Sequence, residues 1–157
     1  MWSDHGGIGG AALGTANLTT VLLGGGGGGG ASNSGVNYTL GGGGGAGGGV
    51  VLVQAQSIDV TGSVSAAGGA GQEASGSEWV GGGAGGAGGA IRLQSIANLA
   101  AGTQRVTALG GSGAQGRGDN VAPPPPPDTA KGGDGGVGRI YLSAGGILTG
   151  TSNPTSF

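Results

Sequence analysis

Apolar and polar positions alternate in three short segments that align with one another: residues 50–54 (Val-Val-Leu-Val-Gln), 90–94 (Ala-Ile-Arg-Leu-Gln) and 139–143 (Arg-Ile-Tyr-Leu-Ser). A period of two belongs to a half-buried β-strand. Ile91 and Leu93 are expected to face inward, with Arg92 and Gln94 outward. Ile140 and Leu142 repeat the pattern, and Val51 and Val53 take the matching slots. The segments start 40 and then 49 residues apart, and the longer interval contains a proline run.

A second strand is expected after each of these, at residues 58–61, 96–99 and 147–149. A third closes the unit at residues 63–66 and 105–109, each ahead of a Gly-Gly pair. Residues 18–23 read as the closing strand of an earlier, truncated unit. The predicted organisation is a single domain, 1–157. It divides into the truncated unit 1–40 and repeats over about 41–80, 81–131 and 132–157. Residues 121–128, with five consecutive prolines, form an insertion expected to be a stiff polyproline II loop, since proline has no N–H to give a sheet. No segment carries helical periodicity, and interior glycine weakens a helix by about 1 kcal/mol per site. The expected fold class is all-β: short stacked strands, as a β-solenoid or β-sandwich, joined by ordered glycine-rich tracts.

Glycine changes the picture most. It supplies 47 of the 157 residues, and runs of it sit directly before the first strands: residues 24–30, 41–49, 81–89 and 132–138. Ordering glycine costs roughly 0.5–1 kcal/mol more than ordering alanine. A polyglycine helix of the polyproline II type has three residues per turn and no side chain on any face. Such helices can pack at backbone distance and exchange N–H···O=C bonds, which would offset that cost. Ile, Leu, Val and Phe are below a fifth of the chain, as in disordered proteins, but a net charge of only −2 and the clustering of β-branched residues point to order.

Five basic and seven acidic residues with no basic cluster leave no surface for tracking phosphates, so no nucleic-acid partner is expected. The absence of cysteine removes disulfides, thiolate chemistry and cysteine zinc sites. No apolar run approaches the ~20 residues of a membrane span. The start, Met1-Trp2-Ser3-Asp4-His5, lacks the basic and apolar regions of a signal peptide.

Catalytic chemistry finds little material. The single histidine, His5, has no cysteine or second imidazole near it in sequence. Glu73 and Glu78 flank Ser75 and Ser77 in a polar stretch, where a carboxylate pair is ordinarily just solvated. Gly-x-Gly-x-x-Gly matches are forced by composition and none opens a helix. Gly132-Gly133-Asp134-Gly135 resembles a calcium-binding turn, but its aspartate does not recur every nine residues. No enzyme activity, cofactor or metal is expected. Asn17-Leu18-Thr19 and Asn37-Tyr38-Thr39 match the N-glycosylation pattern, making Asn17 and Asn37 candidate modification sites. Arg117-Gly118-Asp119 is an integrin-type tripeptide that composition produces readily. Trp2 and Phe157 lie at the extremes of the chain and are candidate contacts between subunits.

The succession of a glycine tract, Val-Val-Leu-Val-Gln-Ala and Ile-Asp-Val-Thr-Gly-Ser-Val-Ser-Ala-Ala-Gly-Gly resembles the repeats of large glycine-rich secreted or cell-surface bacterial proteins, over about residues 41–150. That resemblance implies a β-solenoid with an adhesive or matrix role. The tracts also resemble those of bacteriophage tail-fibre adhesins built on packed polyglycine helices. The expected function is therefore a structural subunit of an extracellular filament or surface layer, self-assembling head to tail through its termini and sheet edges. The alternative is an adhesin or receptor-binding module on a rigid glycine scaffold. Residues 72–79 and 115–128 would then meet a cell-surface glycan or receptor.

Overall fold

The structure, a computed structural model, describes residues 5–32, 40–75, 80–117 and 130–156. It is all-β: among these residues there are seven strands and no helix. Strands β1 (Val50–Ala55), β4 (Ala90–Ser95) and β6 (Arg139–Ala144) form one parallel sheet in the order β1-β4-β6. Its register pairs Val50 with Ala90 and Ala90 with Arg139, so the three segments that align in the sequence are hydrogen-bonded residue for residue. A second sheet is built around β5 (Leu99–Thr107). There β2 (Ile58–Asp59) and β3 (Val64–Ser65) pair in parallel with β5 on one side, and β7 (Leu148–Asn153) pairs with it on the other.

The alternation of apolar residues explains the core. Ile91, Leu93, Ile140 and Leu142 from the first sheet meet Leu99, Ala101 and Val106 from the second in one buried cluster. Val51 is partly buried against it. Val53, expected inward, instead keeps 37% of its surface exposed, because β1 is the last strand of its sheet.

Two other expectations are corrected. Residues 18–23 form no strand; Leu18 sits in a turn with φ +48° and is fully buried, and its carbonyl accepts a bond from Arg92 Nη1 at 3.3 Å. Residues 96–98 are a turn rather than the start of a strand, with Ile96 74% exposed. Strand β5 begins at Leu99 and continues to Thr107, into the segment expected as a separate third strand. Positive φ at Gly102 and Gln104 carries β5 through the shift in its register with β7.

Seven glycine-rich tracts precede or follow the strands: tract 1 (5–12), tract 2 (24–32), tract 3 (41–49), tract 4 (66–75), tract 5 (81–89), tract 6 (108–117) and tract 7 (130–138). They are bonded laterally with a three-residue repeat. Gly42, Gly45 and Gly48 donate to the carbonyls of Gly81, Ala84 and Ala87, at 2.8–2.9 Å. Gly24, Gly27 and Gly30 donate to Gly48, Gly45 and Gly42 in the antiparallel sense.

Tract 5 lies at the centre and is buried throughout. Every N–H from Gly81 to Gly89 has a backbone acceptor, taken in rotation from tracts 2, 7 and 4. Tracts 1, 3 and 6 donate back to its carbonyls. The six outer tracts are also bonded to one another in the order 1-2-3-4-6-7 and back to 1, closing a ring around tract 5. Backbone groups that lack side-chain packing are thus satisfied by backbone.

Close approach dictates the residue type. A Cβ placed on Gly86 would land on the carbonyl of Ala46 in tract 3, whereas one on Gly26, at the outer surface of tract 2, would meet only Gly45 O at 3.7 Å. The outer tracts are exposed at every third residue as a result: His5, Ile8 and Ala11 in tract 1, for example, and Leu109, Ser112 and Gln115 in tract 6.

Candidate functional site

Tracts 3, 5 and 7 run directly into β1, β4 and β6, and the chain returns through the second sheet into tracts 4 and 6. The strands therefore occupy one end of the tract bundle. Of the links without a strand, the turn between tracts 1 and 2 lies at this same end, and the other three leave from the opposite end. Segment 33–39 connects tracts 2 and 3, segment 76–79 connects tracts 4 and 5, and segment 118–129 connects tracts 6 and 7.

Their attachment points are pinned by short contacts. Leu40 and Ser75 form an antiparallel bridge at 2.9 and 3.0 Å, and Val80 and Arg117 form another at 3.0 Å in both directions. Gly41 N donates to Ser32 Oγ at 3.0 Å, and Gly82 N to Ala130 O at 2.7 Å. Ala31 N donates to His5 O at 3.0 Å, which brings the start of tract 1 to the same end. Val80 is fully buried, and Ala74 and Ala130 are buried at the same end of the bundle, so the anchor points of the three segments stand on a packed base.

The residues singled out in the sequence fall as follows. His5 is exposed and lies at this platform. Glu73 is exposed on tract 4 just below it, while Glu78 and Trp79 lie outside the described residues. Arg117 anchors segment 118–129 through its backbone, and the rest of the Arg-Gly-Asp tripeptide and the proline run lie outside the described residues. So do Trp2, Phe157 and Asn37.

Asn17 lies at the other end, exposed in the turn between tracts 1 and 2. Its Oδ1 accepts from Thr19 Oγ1 at 3.3 Å and from Thr19 N at 3.4 Å. Asp134, the aspartate of the calcium-like turn, accepts from Gly113 N at 2.8 Å and stands 3.8 Å from Lys131 Nζ. Its carboxylate thus ties tract 7 to tract 6. Among the described residues no three His, Cys, Asp or Glu side chains are grouped to hold a metal ion. No helix among them is long and apolar enough to cross a membrane.

One feature of the second sheet was not legible in the sequence. An open depression of about 530 Å³ lies over β2, β5 and β7, bordered by Asp59, Thr103, Arg105 and Thr149. Arg105 does not project into it freely: its Nη1 donates to the carbonyls of Val60 and Thr61. The guanidinium closes the turn between β2 and β3. The only sequence signal was the break in alternation at residues 102–105.

Compared with known proteins, the chain matches no family model, no curated protein and no solved structure.

Proposed function

We propose that this chain is a binding module of an extracellular or cell surface, in which a bundle of polyglycine-II-type helices carries a recognition surface at one end. What supports the helix type is the three-residue repeat of lateral bonds and exposure, the period expected of three residues per turn. What supports the binding role is a single arrangement: segments 33–39, 76–79 and 118–129 all begin and end on the same buttressed platform. Loops that carry function are typically held by a rigid scaffold.

The composition of those segments suits the role. They bring Tyr38, Trp79, Asn33, Asn37, Glu78, Asp119 and five prolines to a chain that has few aromatics elsewhere. Aromatic faces combined with amide and carboxylate groups suit a cell-surface glycan or a protein receptor. The stacked parallel strands would act as a short β-solenoid cap that locks the other end of the bundle.

The test is binding of the full chain to a glycan array and to whole cells, beside three variants in which one segment each is replaced by a Gly-Ser stretch of equal length. Binding that one or more replacements abolish, with an unchanged thermal transition, supports the proposal. Binding indifferent to all three, or none to either surface, overturns it.

A filament subunit is the second reading. It is favoured by β1 and β6, the two edge strands of the first sheet, which no other strand covers among the described residues. Uniform filaments of purified protein in negative-stain electron microscopy would decide for it.

A further inference from the structure

The six outer tracts differ in what they show to solvent. At every third residue tract 1 presents His5 and Ile8, tract 6 presents Leu109, Ser112 and Gln115, and tract 7 presents Lys131, Asp134 and Val137; tract 4 presents two alanines and then Glu73. Side chains larger than alanine at these positions hold a further tract beyond backbone hydrogen-bonding distance. Tracts 2 and 3 are different. Their outward rank is mostly glycine: Gly26 and Gly29 and then Ser32 in tract 2, and Gly43, Ala46 and Gly49 in tract 3, with Gly44 also exposed and the Gln72 side chain beside Gly43.

Among the described residues, the N–H groups of Gly26, Gly29, Gly44 and Gly47 meet no backbone acceptor; outward N–H groups on the other outer tracts are alike in this, but there a side chain stands at each outward position. The same edge continues into β1, where Leu52 is 57% and Val50 42% exposed. Edge strands that stay single are commonly blunted by lysine, proline or a bulge. Strand β1, Val-Val-Leu-Val-Gln-Ala, has no such guard.

We propose that this continuous edge, the outer faces of tracts 2 and 3 together with β1, is the interface of a two-fold dimer, and that its occupant is a second copy of the same edge. Three observations select that occupant. Residues 24–31 and 41–55 contain no charged side chain, so the edge meets itself without repulsion. Tracts 2 and 3 run antiparallel, Gly24 bonding to Gly48 and Gly30 to Gly42, so a two-fold rotation presents each tract with a mate of either direction. No other outer tract among the described residues carries glycine at its outward rank, so a head-to-tail contact would have to use a rank carrying side chains. An isologous contact uses the bare edge twice and closes. This inference is independent of what the loop-bearing end binds.

The experiment is sedimentation velocity with light scattering on the full chain over a wide concentration range, with variants Gly29→Glu, Leu52→Lys and Leu109→Glu. A Cβ at Gly29 meets nothing nearer than Gly42 O at 3.6 Å, and Leu52 is outside the core, so neither change disturbs the monomer. The expected result is a species of twice the 14.2 kDa chain mass. Its mass should halve in Gly29→Glu and in Leu52→Lys, stay double in Leu109→Glu, and leave the circular dichroism spectrum unchanged throughout. A monomer at every concentration overturns the proposal, as does growth beyond two copies. A dimer indifferent to both edge variants overturns it as well. Retention of a monomer by growing ice, lost in Gly29→Glu, would assign the face to ice instead of to a second copy.

Discussion

Adding one methyl group to the central tract should cost far more than adding it to an outer face. At Gly86 a Cβ would fall on the carbonyl of Ala46, and the surrounding bonds leave little room to yield: Gly86 N to Gly69 O is 2.9 Å, and Gly111 N to Gly86 O is 2.8 Å. Overpacking of a tight interior costs typically 1–3 kcal/mol. Each backbone bond stretched by the displacement removes about 1 kcal/mol more. Gly86→Ala should therefore destabilise by about 3–5 kcal/mol.

Gly26→Ala makes the same chemical change where the nearest atom is Gly45 O at 3.7 Å and φ is not positive. There the smaller freedom of alanine in the unfolded chain should leave stability unchanged or raised by about 0.4–1 kcal/mol. Urea unfolding followed by circular dichroism measures both. At roughly 2–4 °C per kcal/mol for a chain of this size, Gly86→Ala should also melt about 6–20 °C lower. Equal effects at the two positions would refute close backbone packing as the reason for the glycine.

Three further outcomes are expected. Leu18→Ala empties a fully buried site beneath the turn between tracts 1 and 2, and should cost about 2–5 kcal/mol in the same urea assay. Arg105→Met removes the donor that closes the β2–β3 turn onto the carbonyls of Val60 and Thr61, and should lower stability by about 1–3 kcal/mol, because two carbonyls lose a charged partner. Lys131→Ala breaks an exposed ion pair and should change stability by less than about 0.5 kcal/mol, read as a near-identical melting temperature at low and high salt.

The strand register was legible because side chains announce it: Ile91 and Leu93, and Ile140 and Leu142, alternate with polar residues and converge on one core. The same rule misled at Leu18 and Ile96. An apolar residue in a short run is consistent with a strand, but Leu18 is buried by a turn and Ile96 projects into solvent. The continuity of β5 was hidden by Gly102 and by the polar residues 103–105, which read as a turn.

The tract bundle was legible only in kind. Glycine has no side chain to signal a partner, so nothing in residues 24–30 says that they lie between tracts 1 and 3. The exceptions to glycine carry the information instead: Ile8, Leu109, Asp134 and Val137 recur at multiples of three where a tract faces solvent, while tract 5 admits only alanine. The loop-bearing platform was half visible, since residues 72–79 and 115–128 were candidates, but that their anchor points share one end with those of segment 33–39 required the tract directions.

Amide hydrogen exchange by NMR tests the laterally bonded bundle most directly. All nine amides of residues 81–89 should be strongly protected. In the monomer, protection in tract 3 should recur with a period of three, slow at Gly42, Gly45 and Gly48 and fast at Gly44 and Gly47, and in tract 2 Gly26 and Gly29 should be the fast pair. Uniformly fast exchange across residues 81–89, or protection without the three-residue period, would contradict the account.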